Sequence, residues 1–145
     1  MECLVSIDPG RHKCGLVLVA PQLGIVLDGK IASPKRVREI VLQWKEKAKI
    51  ERLILGNGTS SSEVYGILRE ILPVTLVNEK GTTIRARNRY YELWPISKFL
   101  GWFPKGLLLP PNDLDAVAAL VLLEDFLEKK FTWPGPQRVR NELSQ

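Results

Sequence analysis

The sequence predicts an α/β domain: a mixed five-stranded sheet, made of an antiparallel three-strand meander plus two parallel strands, flanked by helices. Three observations predict it. Three aliphatic, β-branched runs follow one another at the N-terminus, separated only by short turns. The pattern then alternates between helical and strand periods. Near the C-terminus, Ala116 to Leu123 is apolar on every side, as in a helix buried on both flanks.

Cys3 to Asp8 reads as the first strand, and Pro9-Gly10-Arg11-His12-Lys13 as a turn. Cys14 to Ala20 is the second strand, Pro21 to Gly24 a turn, and Ile25 to Ile31 the third strand. Ser33 then offers a capping hydroxyl and Pro34 a first helical position. Val37, Ile40, Val41, Trp44 and Ala48 recur at spacings of three and four, so one helix face is apolar. Arg52 to Leu55 is a short strand ending in Gly56-Asn57-Gly58. Ser61 or Ser62 opens a helix with Val64, Ile67, Leu68 and Ile71 on its apolar face, and Pro73 stops it. Val74 to Asn78 is the fifth strand. Thr82 or Thr83 opens a helix to about Leu93. An irregular stretch from Trp94 to Pro111 precedes the last helix, Leu114 to about Lys130, capped by Asn112 or Asp113. Residues 1 to 130 are thus expected to form one domain, and 131 to 145 a polar, mobile tail.

The chain of 145 residues is long enough to bury a core without disulfide or metal staples. No apolar run nears the roughly 20 residues that span a bilayer. The N-terminus lacks the basic n-region of a signal peptide, so a cytoplasmic protein without membrane contact is expected. Cys3 and Cys14 have no CxxC or CxxH companions, which argues against zinc and for free, buried thiols. The net charge of +5 favours anionic partners only weakly.

Three acids stand out by position. Asp8 ends the first strand, Glu79 follows the fifth, and Asp115 opens the last helix, with Asp113 two residues earlier. If the first and fourth strands are parallel neighbours, Asp8 and Glu79 meet at the carboxyl edge, where open α/β sheets bind ligands. Converging carboxylates repel, and hard oxygen ligands suit Mg²⁺ or Mn²⁺. Each acid also has an ordinary reading: a turn residue at Asp8, an exposed strand end at Glu79, cap and first-turn acids at Asp113 and Asp115.

Leu4-Val5-Ser6-Ile7-Asp8-Pro9-Gly10, then Gly15-Leu16-Val17-Leu18-Val19, resembles the opening hairpin of YqgF and RuvC proteins. Asn78-Glu79-Lys80-Gly81-Thr82-Thr83 resembles that family's Asp-Glu-Arg-x-Thr/Ser-Thr segment. Leu114-Asp115-Ala116-Val117-Ala118-Ala119 resembles its Val-Asp-Ala-x-Ala-Ala segment. The three segments come in family order. The resemblance implies an RNase H-like fold and a divalent-metal endonuclease with Asp8, Glu79 and Asp115 as catalytic acids and metal ligands. Asp113 is the only candidate for the fourth acid of RuvC relatives. The implied substrates are branched DNA such as Holliday junctions, or structured RNA such as the small-subunit ribosomal RNA precursor. A homodimer is compatible with it. The sequence departs from the family at Asn78, Lys80 and Gly56-Asn57-Gly58-Thr59, where Gly-Leu-Pro is common.

Bases and aromatics crowd the stretch after Glu79. Lys80, Arg85, Arg87 and Arg89 are candidate phosphate contacts, as are Arg11 and Lys13 in the first turn, with Trp102 a candidate to stack on bases. Arg85, Arg87 and Arg89 lie two residues apart, so at most two can face one groove. A core role for part of the aromatic cluster is the competing reading. Two other functions compete: a non-catalytic nucleic-acid-binding module, and a phosphotransferase of the actin and sugar-kinase type, which needs two such domains.

Overall fold

The computed structural model describes residues 2–58, 60–95, 114–134 and 139–143. The meander is present as β1 (Glu2–Asp8), β2 (Cys14–Ala20) and β3 (Ile25–Ala32), paired antiparallel. A 3₁₀ turn (Pro34–Arg36) leads into α1 (Val37–Lys47). Ser33 makes no side-chain cap there, and Pro34 starts the tighter turn instead. Next come β4 (Lys49–Gly56), α2 (Ser61–Leu68), β5 (Val74–Val77), α3 (Thr82–Leu93) and α4 (Leu114–Leu127). β4 pairs parallel with β1, and β5 parallel with β4.

The sheet gains a sixth strand, so its order is β5-β4-β1-β2-β3-β6. β6 (Arg140–Asn141) lies parallel to β3 in the stretch expected as a mobile tail. That expectation needs correcting. Phe131 is buried in the core, Thr132 bridges Ile25, and Glu142 ion-pairs with the buried Lys30 at 3.3 Å. Its prolines and polar residues suggested a free end, but Phe131 had an apolar pocket and the β3 edge had open hydrogen-bonding groups.

Strand alternation divides the core. Cys3, Val5 and Ile7 face one side, with Leu53, Leu55 and the apolar faces of α1 and α2. Leu4, Val17, Val19 and Ile54 face the other, against Ala116, Ala119, Leu120 and Leu123 of α4. Asp8 is in phase with Leu4 and Ser6, so it belongs to the α4 side. α3 covers the outer flank of α4, with Ala86 and Tyr90 against Val117, Ala118 and Val121. This double cover is why α4 is apolar all round. Two contacts fix how α4 crosses the sheet. The buried Ser6 hydroxyl donates to the Ala119 carbonyl at 2.6 Å. At Gly15, any β-carbon would run into the Asp115 carbonyl, so β2 and the start of α4 touch backbone to backbone.

Candidate active site

Three parallel strands end together: β1 at Asp8, β4 at Gly56 and β5 at Val77. Glu79 follows two residues after β5, and the Gly15 contact brings Asp115 to the same edge. Three acids from three separate elements thus approach one another. The expectation that Asp8 and Glu79 share a carboxyl edge holds, because both crossovers are parallel.

Their electrostatics are those of crowded carboxylates. Burial, then the charge of Glu79, a hydrogen bond with Glu79 and the charge of Asp115 together push the Asp8 carboxyl up to about 8. Asp8 therefore keeps its proton near neutral pH when no cation is present. Glu79 Oε2 is sealed from solvent and has no hydrogen-bond partner among the described residues. A buried carboxylate oxygen left so is costly unless a cation meets it. Asp115 is ion-paired with Lys13 at 3.1 Å.

Several contacts hold Glu79. Its backbone N–H donates to Asn57 Oδ1 at 3.4 Å, and Thr82 Oγ1 donates to its carbonyl. Its carboxylate lies over Gly56 and Gly58, where a β-carbon at either position would collide with it. The sequence reading noted Gly56-Asn57-Gly58 only as a strand end that departs from the family. Its other meaning is that both glycines leave room for the Glu79 carboxylate.

Among the described residues, no three acids, histidines or cysteines form a preassembled metal cage. The donor chemistry nevertheless fits a hard divalent cation. All three candidate groups are carboxylates, one offers an orphaned buried oxygen, and their mutual repulsion is what such an ion relieves. Asp113 and Trp102, named as fourth ligand and stacking residue, lie outside the described residues.

The basic residues divide. Arg11, Lys80 and Arg87 are exposed, and Lys13 is held by Asp115. Arg85 is ion-paired with Asp125. Arg89 is not available to a phosphate, which corrects the sequence reading. It is buried on the α3 face that carries Ala86 and Tyr90, and grips Glu124 at 2.9 and 2.8 Å and the Phe131 carbonyl at 2.6 Å. Glu124 directly follows the apolar run of α4 and was not singled out from the sequence. Tyr90, Tyr91 and Trp94 form edge-to-face pairs at 5.1–5.4 Å and belong to the packing between α3 and α4. The groove of about 690 Å³ between those helices is lined by these charged pairs and lies away from the three acids.

A mixed sheet with an antiparallel β1–β2–β3 meander, parallel β4 and β5, and α4 laid across one face is the RNase H-like fold. Within it the chain is similar to RuvC-type resolvases. Thermus thermophilus RuvC, solved with a Holliday junction substrate, has 15% identity and a TM-score of 0.50, with 90% of this chain and 99% of that one covered. The Fowlpox virus resolvase, solved with Holliday junction DNA, has 13% identity and a TM-score of 0.54, with 87% and 97% covered. No protein-family model matches the chain, and no curated protein matches it in sequence. At these identities the similarity establishes the fold.

Proposed function

We propose that this protein is a metal-dependent nuclease that hydrolyses phosphodiester bonds in branched DNA, with Asp8, Glu79 and Asp115 as its catalytic carboxylates. One observation carries the reading: three acids from β1, the β5–α3 connection and α4 converge at one sheet edge, with Glu79 Oε2 buried and unpartnered among the described residues. An edge built for stability alone would not concentrate negative charge there. The solved structures of similar fold that contain Holliday junctions support branched DNA as the substrate class.

The three carboxylates would hold Mg²⁺ or Mn²⁺, and Asp113 is a candidate fourth ligand. Bound there, the metal supplies water activation and stabilises the leaving oxygen of the phosphodiester. The chain's own part is positioning. β1 fixes Asp8 at the strand end, and the two glycines of the β4 end seat the Glu79 carboxylate beside it. To bind a cation, Asp8 would give up its proton. Arg11 and Lys80, exposed near the strand ends, would hold the sugar-phosphate backbone across the acids. The segment around Glu79 also resembles YqgF proteins, which makes precursor ribosomal RNA the second substrate to test.

The test is one assay panel in Mn²⁺: a four-way DNA junction, a linear duplex of the same sequence, single-stranded RNA and a stem-bearing RNA. Cleavage of the junction in preference to the duplex supports the reading. Preference for the stem-bearing RNA moves the substrate to RNA. No cleavage of any of them, with tight binding retained, leaves a non-catalytic binding module.

A further inference from the structure

Lys13 ends the turn between β1 and β2, and its ammonium stands 3.1 Å from Asp115 Oδ2. A half-exposed lysine beside a carboxylate is commonly worth little. Here the backbones that carry the pair are fixed by close approach on both sides. A β-carbon on Gly10 would run into the Lys13 carbonyl oxygen, and one on Gly15 would run into the Asp115 carbonyl. Turn and helix start are thus held at contact distance, and the ion pair follows from that placement. Among the described residues, Lys13 is the one base ion-paired with any of the three acids. Glu79 Oε2 has no such partner. One corner of the site therefore carries its own cation while the other is left open.

A lysine so placed can meet two kinds of anion. One is the Asp115 carboxylate. The other is any phosphate that lies across the three acids. It cannot serve both, and a divalent ion at Asp115 decides between them, because two cations on one carboxylate oxygen repel.

We propose that Lys13 is a placeholder cation: it holds Asp115 while no divalent ion is bound, yields the carboxylate when one enters, and then contacts a phosphate of the nucleic acid. The inference rests on the metal-dependent reading above. It makes metal binding and nucleic-acid binding cooperative through one side chain, since each divalent ion taken up frees one phosphate contact.

Lys13→Gln keeps the length of the side chain and removes its charge, and Lys13→Arg keeps the charge. Mn²⁺ is titrated into each protein by calorimetry without nucleic acid. The Gln variant should bind Mn²⁺ about two- to fivefold more tightly than wild type at low salt, and the Arg variant should stay near wild type. Binding to a four-way junction is then measured against salt, once in Ca²⁺ and once in EDTA. In Ca²⁺ the log-log slope of the Gln variant should be shallower by about 0.9. In EDTA the two slopes should coincide, because Lys13 is then engaged with Asp115. A wild-type protein that takes up no Mn²⁺ at all would remove the metal reading, and this inference with it. If wild type binds Mn²⁺ but the Gln variant binds it no more tightly, or the slope difference is as large in EDTA as in Ca²⁺, the inference falls and the metal reading stands.

Discussion

Glu79 Oε1 occupies the space that a β-carbon on residue 58 would take, so Gly58 and the Glu79 carboxylate cannot both keep their places once position 58 carries a side chain. The atom in the way is the far end of a flexible side chain, so Gly58→Ala should displace Glu79 rather than unfold the loop. The expected result is a melting temperature within a few degrees of wild type and a loss of cleavage on the order of 10²-fold, the cost of misplacing a catalytic group by about 1 Å. The double variant Gly58→Ala, Glu79→Asp withdraws the carboxylate by one methylene and should recover part of the Mn²⁺ affinity. Unchanged activity in Gly58→Ala would mean that the carboxylate works from another position.

The crowding at Asp8 makes stability depend on pH in a definite direction. Its carboxyl titrates near 8 in the folded chain, against about 3.9 in the unfolded one. The folded state therefore binds the proton more tightly. This contribution to stability is complete below about pH 4 and is lost as pH rises toward 8. Asp8→Asn removes the titration. In EDTA, the unfolding free energy of wild type from chemical melts should fall from pH 5 to pH 9 relative to that of Asp8→Asn, by on the order of a few kcal/mol. Saturating Mg²⁺ should narrow the gap by stabilising the charged site. Parallel curves for the two proteins would show that Asp8 is not under this pressure.

Loss of charge should also stop the chemistry. Asp8→Asn, Glu79→Gln and Asp115→Asn keep the shapes and remove the attraction for a divalent ion. Each should abolish cleavage in Mg²⁺ or Mn²⁺ while junction binding persists or tightens, because repulsion between carboxylate and phosphate falls. EDTA should stop the wild-type reaction. Ca²⁺ should bind without efficient turnover, since its longer and looser coordination misplaces the attacking water. Full activity of Asp115→Asn would take that residue out of the site.

What the sequence could reveal followed periodicity. The five main strands and the four helices were readable because alternation and the 3.6-residue period are local properties. Asp8, Glu79 and Asp115 were readable because each sits at the end of such an element. The close approaches were not. Gly15 and Gly58 are defined by residues 100 and 21 positions away in the chain, and a glycine does not announce what passes over it. The Arg89–Glu124 pair was hidden for a related reason: an arginine in a basic stretch reads as solvated, and its acid lies 35 residues further on. β6 is two residues long, too short to carry a period of its own.

The buried and exposed arginines of α3 should separate by experiment. Arg89 is held bidentately by Glu124 at 2.9 and 2.8 Å and also donates to the Phe131 carbonyl. Glu124 in turn accepts from the Phe131 N–H at 2.8 Å. The pair therefore ties α3 to α4 and to the chain that follows. Arg89→Ala leaves Glu124 charged and buried, so it should cost about 3–5 kcal/mol of stability. It should leave the salt dependence of junction binding unchanged in whatever protein remains folded. Arg89→Met with Glu124→Leu removes both charges but should recover only part of the loss, because the Phe131 N–H and carbonyl then lose their partners. Arg87 is exposed two residues earlier on the same helix. If it contacts a phosphate, Arg87→Ala should keep the wild-type melting temperature and flatten the log-log salt slope by about 0.9. Chemical melts and salt titrations on the same preparations test both residues. A flattened slope for folded Arg89→Ala would mean that this guanidinium leaves Glu124 to reach nucleic acid, and that the buried pair is not permanent.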